Sequence, residues 1–494
     1  MATMIKTQME MTDGYKLDHR RQYPKGTEFV YSNWTPRSNA YFPEAEDGSV
    51  VFGIQYFIKE YLIKRFNDGF FNVPEDVAVA SFKRRIDTFL GDNEVGADHI
   101  RELHQLGYLP IRIKALPEGK MCPIGVPMMT VMNTDSRFFW LTNFLETMMS
   151  MCLWLPMTSA TTARIYRKEL ERHARKTMFP KDIMLGFLCH DFSMRGMAGL
   201  EAAVTSGMGH LTSFVGSETI PAIAACEEYY GIDAEKELIA ATVPATEHSV
   251  MCAGGFDDEF STFKRLLTDL YPKGFVSIVS DTWDFWKVIT DYIPRLKNDI
   301  LTRDGRFVVR PDSGTPEDII CGTGNANDPD HIRKGAYECL WDIFGGTYTE
   351  NGYKVLDSHI GMIYGDSITI ERQREIYKRL EDKGFAATNL VLGIGSYTYQ
   401  YRTRDSLGFA MKATWCMIDG EAKEIFKDPK TDSGMKKSLK GLISVVEKDG
   451  KYVALDCVEP CEEASGCLET VFENGKILRE FTLSEIRENI NTTL

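Results

Sequence analysis

The sequence has no long uninterrupted apolar run. Its most apolar stretch, residues 138–157, is broken by Asn143, Glu146 and Pro156, which is too interrupted for a bilayer span and reads as a buried helix. Residues 1–16 contain no apolar core of the kind a signal peptide needs, so a soluble, cytoplasmic protein is expected. Basic residues are outnumbered: 57 Lys and Arg stand against 71 Asp and Glu, a net charge of −14. A surface of that sign suits neither nucleic acid nor an anionic membrane, because phosphates must be neutralised by the protein that binds them. None of the 11 cysteines forms a CxxC pair, and even the closest set, Cys457, Cys461 and Cys467, lacks zinc spacing. Reduced, buried thiols are expected. There is no Walker A sequence, no complete GxGxxG opening a helix, and no fixed-period repeat, so a P-loop, a dinucleotide fingerprint and a solenoid receive no support.

What is present has the composition of an ordinary globular protein, with 43% hydrophobic and 26% charged residues over 494 positions. That length exceeds what one hydrophobic core accommodates, so two lobes are expected. The texture changes twice along the chain. Residues 1–156 mix strand-like runs (29–34, 111–116, 126–132) with helical ones (55–66, 138–151). From about Met184 to Ser396 short apolar strands alternate with amphipathic helices, one of which places Ile376, Tyr377 and Leu380 on one face and stops at Gly384. Residues 400–494 turn to hairpins at Asp419-Gly420, Asp449-Gly450 and Asn474-Gly475, followed by a last helix over 483–490. The expected organisation is an irregular α/β barrel over 157–399, and a second, mixed α+β domain built from 1–156 and 400–494.

Within the central region seven apolar strands each end on polar residues or glycine. They are Cys189-His190-Asp191-Phe192, Gly216-Ser217-Glu218, Glu247-His248-Ser249, Ser280-Asp281-Thr282-Trp283-Asp284, Arg310-Pro311-Asp312-Ser313-Gly314, Gly365-Asp366-Ser367 and Gly393-Ile394-Gly395-Ser396. An α/β barrel builds its site from the carboxyl ends of its strands. A doubly wound open sheet also binds there, but only at its switch point; contributions from nearly every strand favour the barrel. No eighth strand is evident.

The glycines and serines of the last strand ends let backbone N–H groups approach an anion, and barrel phosphate sites commonly form there. Arg195 and Arg310 lie beside them, and a guanidinium suits bidentate phosphate recognition. His248 follows Glu247, with Asp281 and Asp284 at the neighbouring strand end. A carboxylate that fixes a histidine tautomer makes the ring a nucleophile or base; the same acids could alternatively hold Mg²⁺. Phe192 could stack on a flat ring. The residues alone thus give an anion-binding barrel mouth with a histidine and several carboxylates.

Many of these segments resemble the nicotinamide phosphoribosyltransferase family, and the similarity runs along essentially the whole chain. It is carried by Thr12-Asp13-Gly14-Tyr15-Lys16, Gln22-Tyr23-Pro24, Trp140-Leu141-Thr142-Asn143, His190-Asp191-Phe192, Arg195-Gly196, Val243-Pro244-Ala245, Glu247-His248-Ser249, Val279-Ser280-Asp281, Arg310-Pro311-Asp312-Ser313-Gly314, Gly365-Asp366, Thr403-Arg404-Asp405 and Phe426-Lys427-Asp428-Pro429. The resemblance implies a type II phosphoribosyltransferase-like barrel that joins nicotinamide to 5-phosphoribosyl-1-diphosphate. It also implies Mg²⁺, ATP as co-substrate, and a homodimer with two shared sites. By position, His248 is the phosphorylated histidine, supported by Glu247 and Asp281. Phe192 and Tyr15 sandwich the pyridine ring, Tyr15 coming from the other subunit, and Glu218 accepts the carboxamide N–H₂. Arg195, Arg310 and His248 face the diphosphate. Asp312, Gly365, Asp366, Ser396 and Arg404 contact ribose and phosphate, while Arg37 and Lys412 reach over from the partner. No metal ligand is assigned.

The chain departs from the family pattern in three places. Glu218 replaces a shorter Asp, Ser193-Met194 replaces Gly-Tyr, and Gly395-Ser396-Tyr397 stands for three glycines. Two other readings compete. A nicotinate phosphoribosyltransferase would bind a carboxylate, which an acid at position 218 repels. A non-catalytic signalling or scaffold protein on the same fold would be expected to have lost His248, Asp281 and the arginines.

Overall fold

The computed structural model describes residues 7–178, 183–365, 367–386, 390–426 and 439–491. The chain divides into two compact units, one formed by Met1–Thr161, Ala225–Ile232 and Arg402–Leu494, the other by Thr162–Ala224 and Asp233–Tyr401.

The first unit is built on a seven-stranded antiparallel sheet. Its order is Glu421–Glu424, Ala410–Ile418, Thr27–Thr35, Met129–Asn133, Ile111–Ala115, Glu469–Glu473, Lys476–Ile477. Thr27–Thr35 is rich in aromatic and β-branched residues and is buried over most of its length, as suits a central strand. Asp419, Asp449 and Asn474 all have positive φ, near 50°, and each is followed by a glycine that is also positive. This is the backbone that two-residue hairpin turns require. The strand expected over 126–132 starts instead at Met129, because Val126 is tied into a turn on Pro123 and Pro127 has no N–H for the ladder. The segment Ala225–Ile232, which the sequence places with the barrel, belongs to this unit. Its Tyr230 hydroxyl donates to Glu118, and its Tyr229 carbonyl accepts from Gln55. The helix expected over 138–151 is a short turn, Leu141–Phe144, followed by Glu146–Thr177 with Pro156 inside it.

The second unit carries six parallel strands in the order Gly216–Ser217, Cys189–Asp191, Leu390–Ile394, Ile360–Tyr364, Phe307–Arg310, Val276–Val279. Helices separate the strands, as parallel pairing demands, and Val276, Ile278, Met362, Leu390 and Leu392 are fully buried, the near-continuous apolar texture of a sheet covered on both faces. The two edges are joined by residues 241–246. Ala241 exchanges backbone hydrogen bonds with Val215 and Ser217 on one edge, while Pro244 and Thr246 pair with Ser277 on the other. The barrel therefore closes at seven positions, the seventh a short irregular segment, and needs no eighth strand.

Candidate functional site

The inward face of this barrel follows from the alternation of side chains along a strand. Leu188, His190 and Phe192 point inward from one strand, Arg306, Val308 and Arg310 from another, and Phe275, Ser277, Gly361 and Ile363 from two more; all line one cavity of about 380 Å³. In most (β/α) barrels bulky inward side chains fill this space. Here Ser277, Gly361, Ala241 and Ala245 leave it open. At the rim the cavity meets a second of about 330 Å³, lined by Arg195, Asp312, Gly365, Ser367, Ser396 and Tyr397. Phe192 and Arg310 line both, so an apolar slot and a polar cradle share one wall.

Phe192 continues the pairing of its strand by donating its N–H to the Ile394 carbonyl at 2.9 Å. Its ring lies where the next strand must have no side chain: a Cβ on Gly393 would come within 2.8 Å of the Phe192 ring. Glu218, following the Gly216–Ser217 strand, places Oε1 3.0 Å from His190 Nε2 and also accepts from the Thr242 hydroxyl. Burial pushes the Glu218 carboxyl up, but the His190 and Thr242 hydrogen bonds and the charge of Arg310 outweigh it and hold the group below its ordinary range. Arg310 is anchored by an Nη2 hydrogen bond to the Thr246 carbonyl and lies 3.7 Å from Asp312 Oδ2. Arg195, on the turn after Phe192, lines the cradle and forms no ion pair among the described residues.

His248 begins the helix His248–Gly254 on the rim. Its Nδ1 lies 3.2 Å from Thr282 Oγ1, and its Nε2 3.8 Å from Asp281 Oδ1. Asp281 is nearly inaccessible; its Oδ2 accepts the Asp312 N–H at 2.9 Å and the Ser313 hydroxyl at 2.5 Å, while Oδ1 is buried without a hydrogen bond. Glu247, expected beside His248, instead accepts from the Ser249 hydroxyl. Asp284 is engaged as the N-cap of the next helix, accepting from the Lys287 N–H, which leaves it poorly placed to hold a metal. Asp191 is fully buried and satisfied by Ser193 N–H and the Thr219 hydroxyl; it fixes the strand end rather than facing a ligand. Asp366 lies outside the described residues, as do residues 427–429 of the Phe426 motif.

Tyr15, Arg37, Arg404 and Lys412 belong to the first unit. Tyr15 is 64% exposed on the turn Gly14–Asp18, a large ring left uncovered within its own chain. Arg37 donates Nε to the Gly408 carbonyl, and burial together with the nearby charge of Arg404 lowers its guanidinium pKa. Asp405, 3.3 Å from Arg404, partly offsets that positive charge. Lys412 sits on Ala410–Ile418, paired with Asn33.

The sequence assigns no role to three residues that the structure brings against the candidate residues: His190, Thr242 and Thr282. For His190 a signal existed, because a residue two before Phe192 on an extended strand shares its face.

Known proteins share this fold. The fold is similar to that of a nicotinate-nucleotide pyrophosphorylase from Pyrococcus furiosus, at a TM-score of 0.57 and 16% identity, covering 100% of this chain and 98% of that one. It is also similar to human nicotinic acid phosphoribosyltransferase, at 0.52 and 14%, covering 98% and 93%. This barrel and these neighbours define a type II phosphoribosyltransferase-like fold. Residues 187–476 match the nicotinate phosphoribosyltransferase (NAPRTase) family profile, and residues 8–113 match the N-terminal domain of nicotinamide phosphoribosyltransferase. The chain is 50% identical over 489 residues to the nicotinamide phosphoribosyltransferase of Acinetobacter baylyi, covering 97% of this chain and 96% of that protein. It is 32% identical over 487 residues to that of Xanthomonas campestris, covering 96% of each. The chain belongs to the nicotinamide phosphoribosyltransferase family.

Proposed function

We propose that this chain transfers the phosphoribosyl group of 5-phosphoribosyl-1-diphosphate to the ring nitrogen of nicotinamide, releasing nicotinamide mononucleotide and diphosphate. The observation that carries the choice of substrate is the ionised Glu218 carboxylate at the apolar slot. It accepts a hydrogen bond from a carboxamide N–H₂ and repels the carboxylate of nicotinate. Phe192 offers one face to the pyridine ring, and Tyr15 of a second subunit offers the other. Arg195, Arg310, Arg37 and Lys412 bind the diphosphate, while Asp312, Gly365, Asp366, Ser396 and Arg404 hold ribose and its 5-phosphate. A loose, oxocarbenium-like transition state needs positioning and charge stabilisation more than a strong nucleophile, and a cradle sharing a wall with the slot supplies both.

ATP transfers its γ-phosphoryl group to His248 and leaves as ADP. Asp281 stabilises the cationic ring, and Glu247 adds negative charge beside it. Mg²⁺ fits this rim as a phosphate-bound ion rather than in a protein cage: no cluster of three or more metal-ligating side chains exists among the described residues, and Mg²⁺ commonly takes one or two carboxylates plus substrate phosphates. Asp281, with its unpartnered buried oxygen, and Asp312 are the carboxylates that would serve it; bound there, the ion would neutralise the leaving diphosphate. No described helix is long and apolar enough to cross a membrane.

The test is a product assay with nicotinamide and nicotinate in parallel. Nicotinamide is turned over far better, and Glu218→Gln narrows the gap, since the carboxylate that repels nicotinate is then gone. Equal kcat/KM for the two substrates overturns the reading.

A further inference from the structure

A glutamate side chain turns about three bonds, so a lone Glu at the rim of a cavity would sample many positions. Glu218 is not alone. Its Oε1 takes both contacts that the structure gives the carboxylate, His190 Nε2 at 3.0 Å and the Thr242 hydroxyl. The two donors come from opposite sides. His190 stands on the Cys189–Asp191 strand, and Thr242 on the segment 241–246 that closes the barrel. Because both use the same oxygen, Oε2 keeps its lone pairs for a donor inside the slot.

His190 is itself fixed. It is 8% exposed, and its ring centroid lies 4.7 Å from that of Phe192 at an interplanar angle of 34°. On its other side stands Gly216, where an added Cβ would fall 2.7 Å from His190 Nδ1. The glycine lets the imidazole lie flat against the neighbouring strand. To donate to an ionised carboxylate, Nε2 must carry the ring proton, so the contact also sets the tautomer. The stacking ring, the imidazole and the carboxylate thus form one packed series, with Thr242 holding its far end.

We propose that His190 and Thr242 are specificity-determining positioning residues, which clamp Glu218 by one oxygen so that the other presents a fixed acceptor to the substrate carboxamide. The inference rests on the nicotinamide reading above. A clamped acceptor contributes its full hydrogen bond, whereas a swinging one must be ordered at each binding event. The clamp also keeps the charge where it opposes a carboxylate substrate.

The test uses the full-length enzyme with both substrates. Thr242→Val removes the hydroxyl at constant shape, at an exposed position where folding is not at risk. It raises KM for nicotinamide roughly tenfold with little change in kcat, the pattern of lost binding shared by ground and transition states. The amide-to-acid ratio of kcat/KM falls roughly tenfold as well. Thr242→Ser, which keeps the donor, restores both values, and His190→Gln, which keeps a donor on a different stem, gives an intermediate ratio. In a Glu218→Ala background, which leaves nothing to clamp, adding Thr242→Val shifts the ratio no further. An amide-selective wild type whose Thr242→Val variant keeps its ratio overturns the clamp alone. A wild type that uses both substrates equally overturns the substrate reading, and the clamp with it.

Discussion

Asp281 illustrates how one residue can serve structure and chemistry at once. One oxygen holds the loop after the Phe307–Arg310 strand through Asp312 N–H and the Ser313 hydroxyl; the other is buried, unbonded and 3.8 Å from His248. A buried acceptor without a donor costs free energy, and a protonated or phosphorylated imidazole beside it recovers that cost. Incubation with γ-labelled ATP and Mg²⁺ should therefore give acid-labile, base-stable label on His248, discharged by the other substrates. Asp281→Asn should keep the loop yet lose most of the label. Absence of label in the wild type, with ATP leaving the apparent affinity for nicotinamide unchanged, would falsify the coupling but not the transferase. Residues of this kind were only half legible in the sequence. Asp281 and His248 stood at neighbouring strand ends and could be paired. Asp191, equally acidic and equally placed, proved to be spent on Ser193 and Thr219, a distinction that needs coordinates.

Elements were easier to read than their contacts. The parallel strands announced themselves as short apolar runs ending in glycine and polar residues, and the hairpin turns by their Asp-Gly and Asn-Gly pairs. Less visible was where irregular segments go. Residues 241–246 contain Pro244 and make no regular strand, yet they close the barrel; Ala225–Ile232 follows a barrel element but packs with the first unit, partly through a hydrogen bond to Glu118. Glu118 accepts from the N–H groups of Gly53 and Gln55 at the start of the helix Ile54–Phe57 and from Tyr230. Burial outweighs those bonds and raises its pKa from 4.5 to about 7. Folding then takes up a proton between those two values, so the stability present at acid pH drains away as pH rises through about 7. Glu118→Gln should flatten this dependence. In thermal unfolding followed from pH 5 to 8, the wild-type midpoint should fall relative to the variant, and parallel curves would count against a titrating Glu118.

At the scale of the whole molecule, Tyr15, Arg37, Arg404 and Lys412 belong to the unit that does not carry the slot. An uncovered ring is a feature that a second copy of the chain can complete, and a symmetric dimer would present it twice. Mixing inactive Tyr15→Ala and inactive His248→Ala chains should restore activity to one of the two sites in each heterodimer. If subunit exchange is verified and activity stays absent, the sites are not shared. This level was the least accessible to residue-by-residue reading, because nothing local marks a side chain as belonging to another subunit's site; resemblance along the chain supplied the idea.

The way the barrel closes carries a mechanical consequence. Six strands form a continuous hydrogen-bonded strip, and the seventh position is a clasp: a few main-chain bonds at Ala241, Pro244 and Thr246, with a proline that donates none. A hoop with a clasp does not stretch evenly. Thr242 and the approach to His248 lie on that fastening segment. The Thr242 hydroxyl, bonded to Glu218 on the adjoining edge, therefore adds a side-chain tie across the seam where main-chain bonds are fewest.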